Sequence, residues 1–263
     1  MTGDLEGLSN SKPDSGALEL APWGIGSVIL AIVLALCLFL SALLTTAIIA
    51  RFFHVRLHST SGDVAGLAAT IAFDLCLYVV TLALALTHRG MSLQKFGLRT
   101  FPLRDVYVPA AGIVAMYIIL GFYVAAVTQL HLPRFRPLPN LPEHLLQTKG
   151  LILPTAIAAC VVAPIVEETF FRGFVFRGIV SQTIAFGLPG HVRRLRLGFW
   201  PAALVSGLLF ASVHFELGLL VPFTAIGVLF AWMFWRSGSL WPNILAHAGF
   251  NAISLTLALA TQR

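Results

Sequence analysis

Charge is what this chain has least of. Only 11% of its 263 residues are Asp, Glu, Lys or Arg, against about a quarter in an ordinary soluble domain. That shortage, with 58% hydrophobic residues and a mean hydropathy of +0.88, excludes a soluble globular domain and describes a chain built for lipid. Cysteine is scarce as well. Cys37, Cys76 and Cys160 are odd in number and far apart, which excludes a disulfide framework and a CxxC metal site. All three fall in apolar runs and read as small buried hydrophobes. There is no HExxH pair and no Lys/Arg-rich block interleaved with aromatics, so the net charge of +6 implies no nucleic-acid partner. The seventeen bases sit mostly in short loops, where they set topology and meet membrane lipid headgroups. A basic n-region ahead of a short apolar core is also missing, so the start of the chain does not read as a cleaved signal.

What is present is a series of apolar segments, at 22–50, 64–87, 106–130, 151–171, 199–216, 219–235 and 240–260. At about 20 residues per span they predict an all-α, polytopic helical membrane protein of about seven transmembrane helices, within a range of six to eight. Residues 1–21 are polar and read as a disordered tail, and 22–263 as a single membrane domain. The 219–235 segment is the shortest, and it is expected to pair with 199–216 as a hairpin around Glu216-Leu217-Gly218. Residues 131–150, with Pro133, Pro137, Pro139 and Pro142, resist helix and predict a fixed surface strap. Residues 177–198 are expected to lie along headgroups. With a cytoplasmic N-terminus, eleven Lys and Arg fall on the cytoplasmic side and six on the other, which favours that orientation. No matched pair of Gly/Pro-broken helices suggests a transporter.

Against this background a few polar residues stand out, because an acid at a helix centre costs roughly 2.5–3.5 kcal/mol. Glu167 and Glu168 adjoin in Ile165-Val166-Glu167-Glu168-Thr169. Glu168 and Arg172 share a helix face at i,i+4, which reads equally as a structural ion pair and as a support for neighbours. Glu167 is rotated by about 100° from Glu168, so Arg172 does not serve both, and a lone carboxyl in a dry site suits proton transfer near neutral pH. His214 and His247 are the two histidines deep in apolar segments, where helix–helix hydrogen bonding competes with catalysis. His247 and Asn251, again i,i+4, could aim two donors at one point and hold an oxyanion, or simply glue helices. Asp74 is expected to bond another helix or line a water pocket, and Glu216 to face headgroups or a cavity mouth.

In order, Glu167-Glu168-x-x-x-Arg172, Phe210-x-x-x-His214 and His247-x-x-x-Asn251 resemble the three motifs of the CPBP family of intramembrane proteases, which includes the type II CAAX prenyl endopeptidases and bacteriocin-processing and immunity proteins. The stretch from Gly227 to His247 is also similar to that family, with a weaker echo at Phe96-Gly97-Leu98-Arg99. The resemblance covers about 150–258 and marks that region as the protease core. It implies a central polar cavity open to the cytosol, and an endopeptidase in which Glu167 and His214 activate a water, His214 passes a proton to the leaving amine, and His247 and Asn251 stabilise the oxyanion. Glu168 and Arg172 would support them. It implies a peptide or membrane-protein substrate, lipidated in the eukaryotic branch, and a multi-pass protein in the inner (plasma) membrane of a bacterium. No cofactor is expected. Were zinc present, Glu167, His214 and His247 would be its ligands. The competing expectation is a non-catalytic immunity or scaffold protein on the same fold.

Overall fold

The computed structural model describes residues 20–55, 59–138, 143–186 and 193–261. Most of the polar tail, together with Arg56, His58, Pro139, Pro142 and His191, lies outside the described residues.

Seven helices carry the described chain: α1 (Ile25–Phe52), α2 (Thr60–Leu86), α3 (Tyr107–Gln129), α4 (Gly150–Val180), α5 (Phe199–Ser212), α6 (Leu217–Ser237) and α7 (Trp241–Thr261). All but α5 are long and apolar enough to cross a membrane. The short helix is therefore α5, not the 219–235 segment. Its 14 residues rise about 21 Å, less than a hydrocarbon core of about 30 Å, whereas α6 starts earlier and ends later than its apolar run. Glu216 makes that early start possible. Its Oε1 accepts the Gly218 N–H at 2.9 Å and caps α6, which gives this acid a structural task.

The expected α5–α6 hairpin forms, and small residues decide how tightly. A Cβ added to Gly227 would lie 2.4 Å from the Gly207 Cα, so the two backbones touch there. This makes α6 the central helix, with Phe230, Ala231 and Phe234 fully buried. By contrast α1, the most hydropathic span, buries only Val28, Ala31 and Ala50; its remaining apolar surface is left to lipid. That also corrects the reading of the cysteines: Cys37 and Cys76 are exposed and Cys160 only partly covered, because an apolar residue in a span needs no protein over it.

α4 is not a uniform α-helix. It widens to π geometry at Ala158–Val162 and again at Thr169–Phe176. Pro164 accounts for the first widening, since it has no N–H to give Cys160 and its ring crowds that carbonyl. Arg172 and Arg177, counted by sequence among the loop cations, are fully buried inside this helix. Beyond it the chain forms an antiparallel hairpin, β1 (Thr183–Phe186) with β2 (Arg193–Arg196), Thr183 opposite Arg196. The described parts of the 177–198 region are thus a helix end and a small hairpin in an otherwise all-helical fold.

The connections are pinned. The proline strap is not free of helix, since Glu143–Gln147 forms a short one; it is held at Arg136, whose carbonyl a Cβ on Gly218 would strike at 2.6 Å, and at Phe135, whose carbonyl accepts from the Tyr123 hydroxyl at 2.9 Å. The Phe96–Arg99 segment docks where α6 turns into α7. Gly97, at φ +123°, lies against Phe234 and Leu240, its carbonyl accepts the Leu240 N–H, and Arg99 Nη2 donates to the Ser237 carbonyl. Trp23, just before α1, stacks 4.9 Å from Phe174 and donates to its carbonyl.

Candidate active site

The second half of α4, the start of α7 and the α5–α6 hairpin surround one buried polar cluster. Its hub is Glu168, fully buried. Oε1 accepts from Arg172 Nη1 at 3.0 Å and from His247 Nδ1 at 3.2 Å, and Oε2 accepts from Asn243 Nδ2 at 3.2 Å. The ion pair anticipated for Glu168 and Arg172 is present. Arg172 is itself clamped, with its guanidinium carbon 4.4 Å from the Phe210 ring centroid, 4.9 Å from that of Phe230, and Nη2 3.4 Å from the Gly227 carbonyl. The close Gly207–Gly227 approach brings α5 and α6 near enough for both rings to flank one guanidinium.

His247 is held from both sides. Its ring packs on Phe210 and Phe230, at 5.7 and 5.6 Å between centroids. Oε1 of Glu168 already accepts from Arg172, so Nδ1 of His247 carries the proton it shares with that oxygen. Nε2 is thereby directed to the other side of the ring. There it faces Glu167 Oε2 at 4.0 Å, longer than a hydrogen bond. Glu167 Oε2 makes no hydrogen bond among the described residues. Its side chain is 22% accessible, with Oε2 itself buried, while that of Glu168 is fully closed, so what access the cluster has is on the Glu167 side. Asp74 comes from the buried stripe of α2, with Leu77, Thr81 and Ala85, and lies within electrostatic reach of Glu167.

Two anticipated residues stand further off. His214 follows α5, its Nδ1 2.8 Å from the Phe210 carbonyl, so Nδ1 donates and Nε2 is left as acceptor. It shares the Phe210 ring with His247, at 5.0 Å, and is within electrostatic reach of it. Asn251 lies one turn beyond His247 and donates through Nδ2 to the Ala159 carbonyl at 2.7 Å, inside the first wide turn of α4. One hydrogen of its amide is thus committed to the fold.

Sequence reasoning missed Asn243. It is fully buried, and its amide bridges the Glu168 carboxylate and the Phe230 carbonyl, the latter at 2.7 Å. The signal was available: the four-residue step that leads from His247 forward to Asn251 leads backward to Asn243. As for metal, no group of three or more His, Cys, Asp or Glu among the described residues is arranged to hold an ion. Nδ1 of His247 and of His214 is engaged, by Glu168 and by the Phe210 carbonyl, and Nε2 of each is left uncommitted. No mechanistic step is assigned to a metal.

Residues 149–253 match the family described as "Type II CAAX prenyl endopeptidase Rce1-like". The matched span holds Glu167, Glu168, Arg172, His214, Asn243, His247 and Asn251. A protein of Bacillus subtilis (strain 168) named "Putative membrane peptidase YdiL" is 26% identical over 211 residues, which cover 75% of this chain and 74% of that protein. No solved structure gives a significant match. The match across α4 to α7 and the similarity to a protein named as a membrane peptidase, over three-quarters of its length, both support the CPBP family of membrane proteases.

Proposed function

We propose that this protein is an intramembrane endopeptidase that hydrolyses a peptide bond with a water activated by Glu167. The observation that carries the reading is the paired disposition of two neighbouring acids: Glu168 saturated by Arg172, His247 and Asn243, and Glu167 left with a free Oε2 facing His247 Nε2. One carboxylate builds the site and the other is available for chemistry.

In the proposed reaction a water sits between Glu167 and His214, whose Nε2 acts as acceptor. Its oxygen bonds to the substrate carbonyl carbon as its proton passes to Glu167. The oxyanion so formed is met by Nε2–H of a protonated His247, with Glu168 stabilising the imidazolium from behind, and by the remaining amide hydrogen of Asn251. Collapse breaks the C–N bond, and the proton returns through Glu167 and His214 to the leaving nitrogen. Each oxyanion donor in such a site is worth about 3–4 kcal/mol. The residues and protons balance without a metal, and we propose that none is required.

The family supports a peptide or protein substrate; whether that substrate carries a lipid is a separate question for experiment. Removing buried Arg172 and Arg177 from the eleven cytoplasmic-side cations leaves nine against six, so the bias still favours a cytoplasmic N-terminus in the inner membrane of a bacterium. His247 lies six residues into α7, about 9 Å below its start, within reach of that face.

The test is cleavage of a membrane-peptide library by the purified full chain. Glu167→Gln should lower the rate by about 10²–10⁴-fold while the protein inserts and melts as before, and activity should survive a strong zinc chelator. Undiminished cleavage by Glu167→Gln would remove the assignment. Loss of activity on chelation, restored by zinc, would return Glu167, His214 and His247 to consideration as ligands.

A further inference from the structure

A second feature lies away from the polar cluster, on the outer flank of α5 and α6. Between these helices runs a groove of about 570 Å³. Phe199 and Trp200 form one wall; Ala225, Val228 and Trp232 form the other, and Arg236 closes one end. The α6 residues recur every three to four positions, so they share one face. From Ala225 to Arg236 that face is about 16 Å long at 1.5 Å per residue, which is half of a hydrocarbon core of about 30 Å. The groove is one leaflet deep.

We propose that this groove is a binding site for a single anionic phospholipid, its acyl chain lying along α6 and its phosphate on Arg236. Three observations favour this occupant. The lining is aromatic and aliphatic, with Trp200 and Trp232 66% and 50% exposed, as suits indoles in the interfacial belt. Arg236 is exposed and makes no hydrogen bond or ion pair among the described residues, so its charge is available there. Trp235, next to Arg236 in the chain, lines the groove as well. A zwitterionic lipid would meet the Arg236 cation with no net charge; an anionic one complements it.

The groove also backs onto the catalytic half of the molecule. α6 presents Trp232 to the groove and, two residues earlier, Phe230 to His247 and Arg172. A chain seated there would hold the outer face of the helix that orders the site, although the binding itself is independent of the proposed chemistry.

Tryptophan quenching tests the proposal directly. The full-length protein in detergent is titrated with lipids brominated in the acyl chain, one series phosphatidylglycerol and the other phosphatidylcholine. Phosphatidylglycerol should reach half-quenching at about fivefold lower concentration, the increment expected of one interfacial cation. Arg236→Gln should abolish the difference while leaving quenching by phosphatidylcholine and the melting temperature unchanged. A Trp200→Phe/Trp232→Phe/Trp235→Phe variant, which removes every indole that lines the groove, should lose most of the quenching amplitude. Equal half-points for the two lipids in the unaltered protein, or an undiminished preference in Arg236→Gln, would overturn the proposal. Quenching that fades as protein concentration rises would mark a second copy in the groove and would overturn it too.

Discussion

Two adjacent glutamates meet entirely different environments here because successive helical positions differ by about 100°. Glu168 turns into the bundle, where three donors reach it; Glu167 turns toward the open side. The burial of Glu168 and Arg172 makes a sharp prediction. Removing one partner of a buried pair leaves an uncompensated charge, at a cost of about 3–5 kcal/mol. Arg172→Met should therefore lower the melting temperature in detergent strongly, and Glu168→Met/Arg172→Met should recover part of the loss. A double variant no more stable than the single one would show that the pair is not coupled. Much of this scale was legible in advance: the Glu168–Arg172 step, the isolation of Glu167 and the two deep histidines all follow from spacing and hydropathy. Asn243 was not read, because an amide in an apolar run carries no charge to draw notice, and only the fold shows that it bridges Glu168 to the Phe230 carbonyl.

At the scale of elements, hydropathy found where helices lie but not how they are used. The most apolar span is peripheral and the central one is α6, since lipid and protein interior look alike to a hydropathy count. Backbone contact distinguishes them. Gly227→Ala should push α5 from α6 and lower both stability and cleavage, as its Cβ would meet Gly207 at 2.4 Å. Gly26→Ala, with nothing within 4 Å of the new methyl, should be neutral or stabilising by up to about 1 kcal/mol. Thermal unfolding of the two variants side by side checks the contrast; equal melting temperatures would deny the close approach. The β1–β2 hairpin escaped sequence reading for a related reason: its four-residue strands are too short to announce a period.

For the whole molecule, one end gathers Lys95, Arg99, Arg236 and the hairpin carrying Arg193, Arg194 and Arg196, as the contacts of Phe96–Arg99 with the α6–α7 turn require. If that end is cytoplasmic, an exposed probe there reacts from one side only. In a variant with Cys37, Cys76 and Cys160 replaced by serine, Lys95→Cys should resist a membrane-impermeant maleimide in intact cells and label in inverted vesicles. Labelling in intact cells would reverse the orientation.

The sequence by itself determined that this chain lives in a membrane, where its helices run, and which acids and imidazoles are too costly in lipid to be idle, because burying charge is expensive wherever it occurs. Tertiary structure alone decided which glutamate is saturated and which is free, that Asn243 joins the cluster while Asn251 ties itself to Ala159, and that α6 rather than α1 is the core. Those outcomes depend on helix rotation and on backbone approach at Gly207 and Gly227, distances of a few ångströms that no count of residues along the chain contains.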